Sequence, residues 1–326
     1  MTLHKIIYDT DPGIDDAIAL VFQALHPDIE LVGITSVFGN ADIDTTTANA
    51  LYLAQRFAPG VPVVRGAAAP LRRPAPLPIP HIHGKDGLGE IERDGGSGKE
   101  DGREAHRFMV ETVRAHPGEI TLLAVGPLTN LALALLLDPG IATLVREVVV
   151  MGGAFGIHGA LGNVTPAAEA NMHGDPDAAD IVFGAPWKVS IAGLDVTHET
   201  VMTTAFLAAL RDNAGDAGRF VWDVSRFYER FHAEEGVTGG IYAHDYSAAA
   251  FVVARECYVT RRGPVRVLTE GIAAGLTVQK PASMHAPAPE WDTRPACDAC
   301  IGVDADAVLE LFAATLSNQA RAEPLA

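Results

Sequence analysis

The chain has 326 residues, of which 48% are hydrophobic and 20% charged, and its formal net charge is −17 at pH 7. This length provides enough apolar material for the core of one large or two ordinary domains. The acidic balance argues against a nucleic-acid partner and against an anionic membrane surface, because both need a basic footprint on the protein.

The first predicted strand, residues 6–8, leads into a cluster of acids. Asp9, Asp11, Asp15 and Asp16 follow it before an apolar helical pattern begins. They would lie at the carboxyl end of a strand and on the first turn of a helix, where parallel α/β sheets bind ligands. Helix capping explains only one or two acids, since each contact with the helix dipole contributes ~0.3–1 kcal/mol. Crowded carboxylates raise one another's pKa values, so we favour a site for a hard divalent cation over a solvated acidic turn.

The following segments alternate between strands and helices. We expect strands over residues 30–38, 61–66, 119–125, 147–151 and 187–192, with helices over 45–57, 103–115 and 177–183 and a further helix that follows GPLTN at 126–130 and runs to Leu137. This alternation predicts an open, mostly parallel central sheet with right-handed crossovers, flanked by helices. Helices are also predicted over residues 204–235, 247–254 and 306–316, and short strands that could pair antiparallel over 265–268 and 276–278. Without an internal repeat or a convincing linker, the sequence predicts one Rossmann-like α/β domain over residues 1–326.

Two long loops interrupt this pattern. Residues 68–102 are rich in proline and glycine, and residues 152–171 are rich in glycine, alanine and small polar side chains. Loops of this length in a compact domain are either functional lids or disordered. Neither carries a Walker or G-x-G-x-x-G spacing, so nucleotide-phosphate binding has no support.

The number of cysteines and the length of the apolar runs indicate where in the cell the protein is expected. Cys257, Cys297 and Cys300 are too few for a disulfide framework, and the single C-x-x-C lacks the second pair of a zinc site, so we expect buried or surface thiols. No apolar run is long enough to span a membrane, and no leader pattern precedes the first strand. We therefore expect a soluble cytoplasmic protein.

Polar residues follow several predicted strands or lie in breaks between helices. Because the strands of a parallel sheet end at one edge, these side chains could converge there. Aspartate, asparagine and glutamate recognise hydroxyl groups, whereas a phosphorylated or carboxylated ligand would require arginine or lysine, which these segments hardly contain. The sequence therefore favours a neutral, oxygen-rich ligand. The residues concerned are Asp11, Asp15, Asp16, Asn40, Asn163, Glu169, Asn171, Asp175, His244 and Asp245.

Several motifs together resemble those of the inosine-uridine preferring nucleoside hydrolase family. They are DTDPGIDDAIAL at residues 9–20, HIHG at 81–84, VGPLTNLA at 125–132, VVVMGG at 148–153, GNVTPAAEAN at 162–171 and the pair at 244–245. The resemblance implies the nucleoside hydrolase type of fold and Ca²⁺-dependent hydrolysis of the N-glycosidic bond of ribonucleosides, for their salvage or catabolism. It also implies a small-molecule ribonucleoside as partner and a homodimer or homotetramer.

The resemblance assigns the metal ligands and the catalytic residues. Ca²⁺ would be held by the carboxylates of Asp11, Asp16 and Asp245 and by the backbone carbonyl of Val125. Asp11 would also be the general base for the attacking water. His244 would protonate the leaving base, and His83 would be a second catalytic histidine of the pocket.

The resemblance also assigns the substrate contacts. Asp15, Asn40 and Asn171 would bind ribose hydroxyls, and Asn163 and Glu169 would reach the 5′ side. Met151 and Asp245 complete the substrate-binding set. Dense carboxylates and amides suit this chemistry, because cleavage of a glycosidic bond builds positive, oxocarbenium-like charge on the sugar.

Two alternatives remain open at this point. A nucleoside- or ribose-binding protein on the same fold would bind without turnover. A Mg²⁺-dependent phosphatase of the haloacid dehalogenase type would also place Asp9-Thr10-Asp11 after a strand, although the DPGIDD continuation does not fit it. Base preference is not readable from the sequence, but the presence of both His83 and His244 favours uridine-type or broad specificity.

Overall fold

The structure is a computed structural model that describes residues 3–93 and 98–320, so residues 94–97 of the predicted first loop lie outside it. Its strands are β1 (His4–Thr10), β2 (Ile29–Ser36), β3 (Val63–Val64), β4 (Ile120–Ala124), β5 (Glu147–Met151), β6 (Val189–Ala192), β7 (Val201–Thr203), β8 (Gly240–Tyr242), β9 (Tyr258–Gly263), β10 (Val265–Val267), β11 (Thr277–Gln279) and β12 (Cys297–Val303).

The helices pack on both faces of the sheet. They are α1 (Ile14–Leu25), α2 (Ile43–Phe57), α3 (Pro80–His83), α4 (Ala105–Ala115), α5 (Thr129–Leu137), α6 (Ala170–Gly174), α7 (Pro176–Gly184), α8 (Leu194–Thr197), α9 (Thr204–Asn213), α10 (Gly215–Glu234), α11 (His244–Val253), α12 (Pro289–Asp292) and α13 (Ala305–Ala320), with 3₁₀ turns at Pro139–Thr143 and Arg255–Cys257.

In the described part of the chain, the central sheet has eight strands in the order β3-β2-β1-β4-β5-β6-β12-β9. Every neighbouring pair is parallel except β12 with β9. The predicted mostly parallel α/β sheet is therefore confirmed. Two antiparallel ribbons, β10 with β11 and β7 with β8, lie beside it, and the first of them was also predicted.

Strand β1 lies inside the sheet and is covered on both faces. Ile6 and Tyr8 pack into one apolar core with side chains of α1, α10, α11 and α13, whereas Ile7 packs into a second core with side chains of α4, α5 and α7. Alternate residues of a strand point to opposite faces, and a parallel sheet with helices on both sides buries both sets. The acids that follow β1 are thus held at the end of a rigid strand.

Three segments differ from the predictions. The predicted helix over residues 204–235 breaks into α9 and α10 at Gly215, whose φ of +59° favours glycine. Strands β9 and β12 were not predicted, although β12 inserts between β6 and β9 in the central sheet. Cys297 and Cys300 are buried thiols of β12 that belong to the two different cores. No helix within the described residues combines the length and the apolar content that a membrane crossing requires.

Candidate active site

The turn from β1 to α1 forms the floor of the site. Gly13, the residue before α1, donates its N–H to Asp16 Oδ2 at 2.8 Å, and Thr10 Oγ1 donates to Asp16 Oδ1 at 2.5 Å. Asp9 instead accepts hydrogen bonds from Thr35 Oγ1 at 2.6 Å and Asn130 Nδ2 at 2.8 Å. Burial raises the pKa of Asp9 to about 7. Asp9 therefore links β1 to β2 and α5, while Asp16 is oriented by the capping of α1.

Asp11 is buried and held from one side only. The backbone N–H of Asn40 donates to Asp11 Oδ2 at 2.8 Å. Asp11 Oδ1 has no hydrogen-bond partner among the described residues, and a Cβ added at Gly126 would lie 2.5 Å from it. A buried carboxylate oxygen without a donor is costly, so it requires a partner that the protein itself does not supply.

Asp15, Asp16 and Asp245 form a carboxylate cluster, with oxygen atoms that lie within 4.8 Å of one another. Burial raises the pKa of Asp15 and of Asp16 to about 6, and the Asp15 carboxylate adds to the rise for Asp16. Burial, followed by the charges of the other acids, holds the pKa of Asp245 well above its usual range. An oxygen-only donor set of this kind fits a hard divalent cation, which would keep the carboxylates ionised.

One side-chain amide, that of Asn171, joins the ends of β4 and β5. Asn171 Nδ2 donates to the carbonyl of Val125 at 2.7 Å and to that of Met151 at 3.2 Å. Glu169 accepts the backbone N–H groups of Gly153, Asn171 and Met172 at 2.8, 2.9 and 3.1 Å. Glu169 thus caps α6 and fixes the end of the 152–171 loop beside the strand ends.

A cavity of about 520 Å³ opens above these groups. Asn163, whose Oδ1 accepts the N–H of Ala170 at 3.0 Å, lies on its loop side. Asp11 and Asp16 are not part of its lining; both are buried and accept hydrogen bonds from Asn40, which lines it. All the other predicted site residues line it: Asp15, Asn40, His83, Val125, Met151, Asn163, Glu169, Asn171, His244 and Asp245.

Part of the cavity wall is aromatic, and it includes two histidines that the sequence analysis did not single out. His198 and His232 line the cavity together with Tyr228, Phe231 and Tyr242. His198 stacks on Tyr242 with ring centroids 4.3 Å apart. His198 follows a helix of one turn, and His232 lies within the amphipathic helix α10. Their spacing therefore gave no signal that distinguishes them from core or surface residues.

Hydrogen bonds fix the tautomers of two histidines. The N–H of Ile14 donates to His83 Nδ1 at 3.1 Å, so Nδ1 is unprotonated and Nε2 carries the hydrogen. His232 Nδ1 donates to the carbonyl of Tyr228 at 2.9 Å, and the N–H of Tyr242 donates to His232 Nε2 at 3.3 Å. Burial lowers the pKa of both histidines to about 4. His83 is thus an uncharged donor, whereas His232 has both nitrogens engaged.

His83 lies on a short helical turn, α3, within the predicted 68–102 loop, whereas His244 is the first residue of α11, three residues before the predicted start of that helix. His83 ends α3 and is buried, with its ring stacked on Tyr228 at 5.3 Å. His244 begins α11, and its Nδ1 lies 2.8 Å from Thr197 Oγ1. Burial and the neighbouring imidazoles lower the pKa of His244 well below its usual value.

Comparison with known proteins agrees with this geometry. The family model of the inosine-uridine preferring nucleoside hydrolases matches residues 6–310. The chain is 42% identical over 275 residues to the probable uridine nucleosidase 1 of Oryza sativa subsp. japonica, an alignment that covers 84% of each chain. The solved structure of the plant nucleoside hydrolase PpNRh1 superposes with a TM-score of 0.92 at 35% identity, covering 96% of this chain and 99% of that one.

A further solved structure, the purine-preferring ribonucleoside hydrolase from Gardnerella vaginalis, superposes with a TM-score of 0.88 at 31% identity, covering 98% of this chain and 100% of that one. The matched region includes every predicted site residue, from Asp11 to Asp245. The chain therefore belongs to the inosine-uridine preferring nucleoside hydrolase family and is an enzyme that hydrolyses the N-glycosidic bond of ribonucleosides.

Proposed function

We propose that this hydrolase depends on Ca²⁺ and cleaves uridine in preference to other ribonucleosides. The observation that carries the metal assignment is the cluster of Asp15, Asp16 and Asp245, with carboxylate oxygens within 4.8 Å of one another. Asp15 Oδ1 of this cluster, and Asp11 Oδ1, are buried and lack hydrogen-bond partners in the described chain. These oxygens are the ligand type that Ca²⁺ prefers.

Asp11, Asp16, Asp245 and the carbonyl of Val125 would hold the ion. When bound, Ca²⁺ would polarise and acidify a water molecule. Asp11 is the proposed general base, because the N–H of Asn40 holds its Oδ2 while Oδ1 is free to accept a proton.

The remaining acid and amide side chains would bind the ribose. Tyr228 donates its hydroxyl to Asp15 Oδ2 at 3.2 Å, which leaves Asp15 Oδ1 to accept from a ribose hydroxyl. Asn40 and Asn171 would contact the ribose hydroxyls, while Asn163 and Glu169 close its 5′ side. Together, the fixed carboxylates and amide oxygens stabilise the positive charge that builds on the ribose as the glycosidic bond breaks.

The aromatic wall would receive the base. His83 presents an uncharged Nε2–H, which suits a carbonyl oxygen of the base, and uracil carries two such oxygens. His244 is placed to donate to the departing base and so to offset the negative charge that develops on it. The relative from rice is named a probable uridine nucleosidase, which also favours uridine.

Neither alternative reading is favoured. Among the described residues that line the cavity, none is lysine or arginine, so a phosphate group would find no cationic partner there. A binding protein would need neither the proposed general base Asp11 nor the proposed proton donor His244. The cytoplasmic location and the homodimer or homotetramer stay predictions that rest on the family resemblance.

The test is release of free ribose from uridine, cytidine, inosine, adenosine and guanosine, with and without a Ca²⁺ chelator. We expect turnover to be highest with uridine, to be lost with the chelator and to return with added Ca²⁺. Asp11→Ala should lower kcat by ~10²–10⁴-fold, the range for loss of a general base. The exposed acid Asp212, replaced by alanine, is the control.

Each part of the proposal can fail separately. Full activity in the chelator would contradict the metal assignment. A higher turnover with a purine nucleoside than with uridine would contradict the proposed base preference. Stoichiometric binding without ribose release would identify a binding protein.

A further inference from the structure

The short helix α8 carries a buried hydroxyl that no role above accounts for. Thr197 ends α8, which follows the last residue of β6 after a single glycine, and its exposed fraction is 0%. Its Oγ1 lies 2.8 Å from Nδ1 of His244. Within the described residues, this is the one hydrogen bond of the Thr197 hydroxyl.

The hydrogen bond constrains the imidazole in two ways. It fixes the rotation of the ring, because Nδ1 must face Thr197. It also favours one tautomer, because Nδ1 is the one hydrogen-bond partner of this buried hydroxyl: donation to Nδ1 pairs the hydroxyl hydrogen, and it leaves the ring hydrogen on Nε2. Nε2 lies across the ring from Nδ1, and His244 lines the cavity, so the free N–H is available to a bound base.

The other neighbours of His244 do not replace this contact. The rings of His198 and Tyr242 lie 5.6 and 5.5 Å from that of His244, centroid to centroid, and both contact it edge to face. His232 lies 6.4 Å away, and both of its nitrogens are engaged elsewhere. These rings pack around His244 but leave its orientation about the Cβ–Cγ bond to Thr197.

We propose that Thr197 is a positioning residue for glycosidic cleavage, whose hydroxyl holds His244 with its Nε2–H toward the leaving base. The backbone N–H of Ile14 likewise donates to Nδ1 of His83. Both imidazoles therefore carry their ring hydrogen on Nε2. The inference rests on the proposed function, because it requires His244 to serve the departing base.

The experiment compares two leaving groups in a set of variants. Uridine needs a donor for its departing base, whereas 4-nitrophenyl β-D-ribofuranoside releases a stable phenolate that needs none. The variants are Thr197→Val, which removes the hydroxyl at nearly constant shape, Thr197→Ser, which keeps it, and His244→Ala. Thr200→Val is the matched control, because Thr200 is equally buried but donates to the carbonyl of Val196 at 3.1 Å.

We expect Thr197→Val to lower kcat for uridine by ~10–100-fold, a part of the ~10²–10⁴-fold that a positioned acid contributes. KM for uridine and kcat for the nitrophenyl riboside should stay close to their wild-type values. Thr197→Ser should restore most of the uridine activity, and Thr200→Val should not change the ratio of the two activities. A merely structural role would lower both activities together.

A second readout needs no turnover. In protein with ¹⁵N-labelled histidine, the ring signals of His244, assigned by their loss in His244→Ala, should report a protonated Nε2 and an unprotonated Nδ1. Thr197→Val should give a mixture of tautomers, and Thr197→Ser should not.

The outcomes separate this inference from the proposed function. If His244→Ala loses uridine activity selectively but Thr197→Val loses none or loses both activities equally, the inference alone is overturned. If His244→Ala lowers both activities equally, the role of His244 fails and the inference fails with it. A protonated Nδ1 of His244 in the wild-type protein would also overturn the inference.

Discussion

Gly126 offers a sharp test of where the Asp11 carboxylate must lie. A Cβ at position 126 would be 2.5 Å from Asp11 Oδ1 and 2.9 Å from Val37 Cγ1, closer than real Cβ contacts allow. Asp11 cannot simply rotate away, because the N–H of Asn40 holds its other oxygen at 2.8 Å. In Gly126→Ala the carboxylate or the end of β4 must therefore move by about half an ångström or more.

We expect this shift to cost ~1–3 kcal/mol of unfolding free energy, the usual range for overpacking. We also expect kcat to fall by ~10–100-fold, because displacing a reacting group by about 1 Å costs up to ~10²-fold in rate. The measurements are ribose release at saturating Ca²⁺, Ca²⁺ affinity by calorimetry and the thermal unfolding midpoint.

Gly102→Ala is the matched control, since a Cβ there meets nothing within 4 Å. It should leave all three quantities unchanged. Wild-type kcat and Ca²⁺ affinity in Gly126→Ala would refute the reasoning, because they would show that the position of Asp11 Oδ1 is not critical.

Two further predictions concern groups around the cavity. His232 is buried with a pKa of about 4, below its unfolded value of 6.5, so the unfolded chain binds the extra proton and stability falls as the pH drops from 6.5 towards 4. The stability advantage of wild type over His232→Phe, at most about 3 kcal/mol from this source, should thus be largest near pH 7 and shrink on acidification in urea titrations; a constant difference would contradict it. Asp195 accepts the N–H groups of Phe155 and Ile157, each at 2.7 Å, so Asp195→Asn must lose one of these bonds. Hydrogen exchange over residues 154–162 should accelerate and KM for uridine should rise, and unchanged exchange would show that Asp195 does not hold this loop.

Local sequence patterns were sufficient to predict the first six strands of the central sheet and the acidic floor of the site. In each βα unit, the period of the apolar residues indicates which segment is the strand and which is the helix. The strands of a parallel sheet must also end at one edge. The spacing places Asp11 in the turn between β1 and α1, and Asp15 and Asp16 in the first turn of α1. The family resemblance then added residues that are remote in the chain, such as Asn171 and Asp245, which spacing alone could not bring to the same edge.

Tertiary structure alone decided the two C-terminal strands of the central sheet, β9 and β12, and the aromatic wall. The segment of β12, CDACIGV, has only two β-branched residues among its seven, and it becomes an interior strand because it pairs with β6 on one side and with β9 on the other. Sequence patterns predicted no role for three residues of the site, His198, His232 and Thr197. The apolar patterns of their helical segments predict only that some side chains are buried. Their chemical roles depend on which atom of another element lies within about 3 Å of them, and that distance is set by the packing of helices that are far apart in the chain.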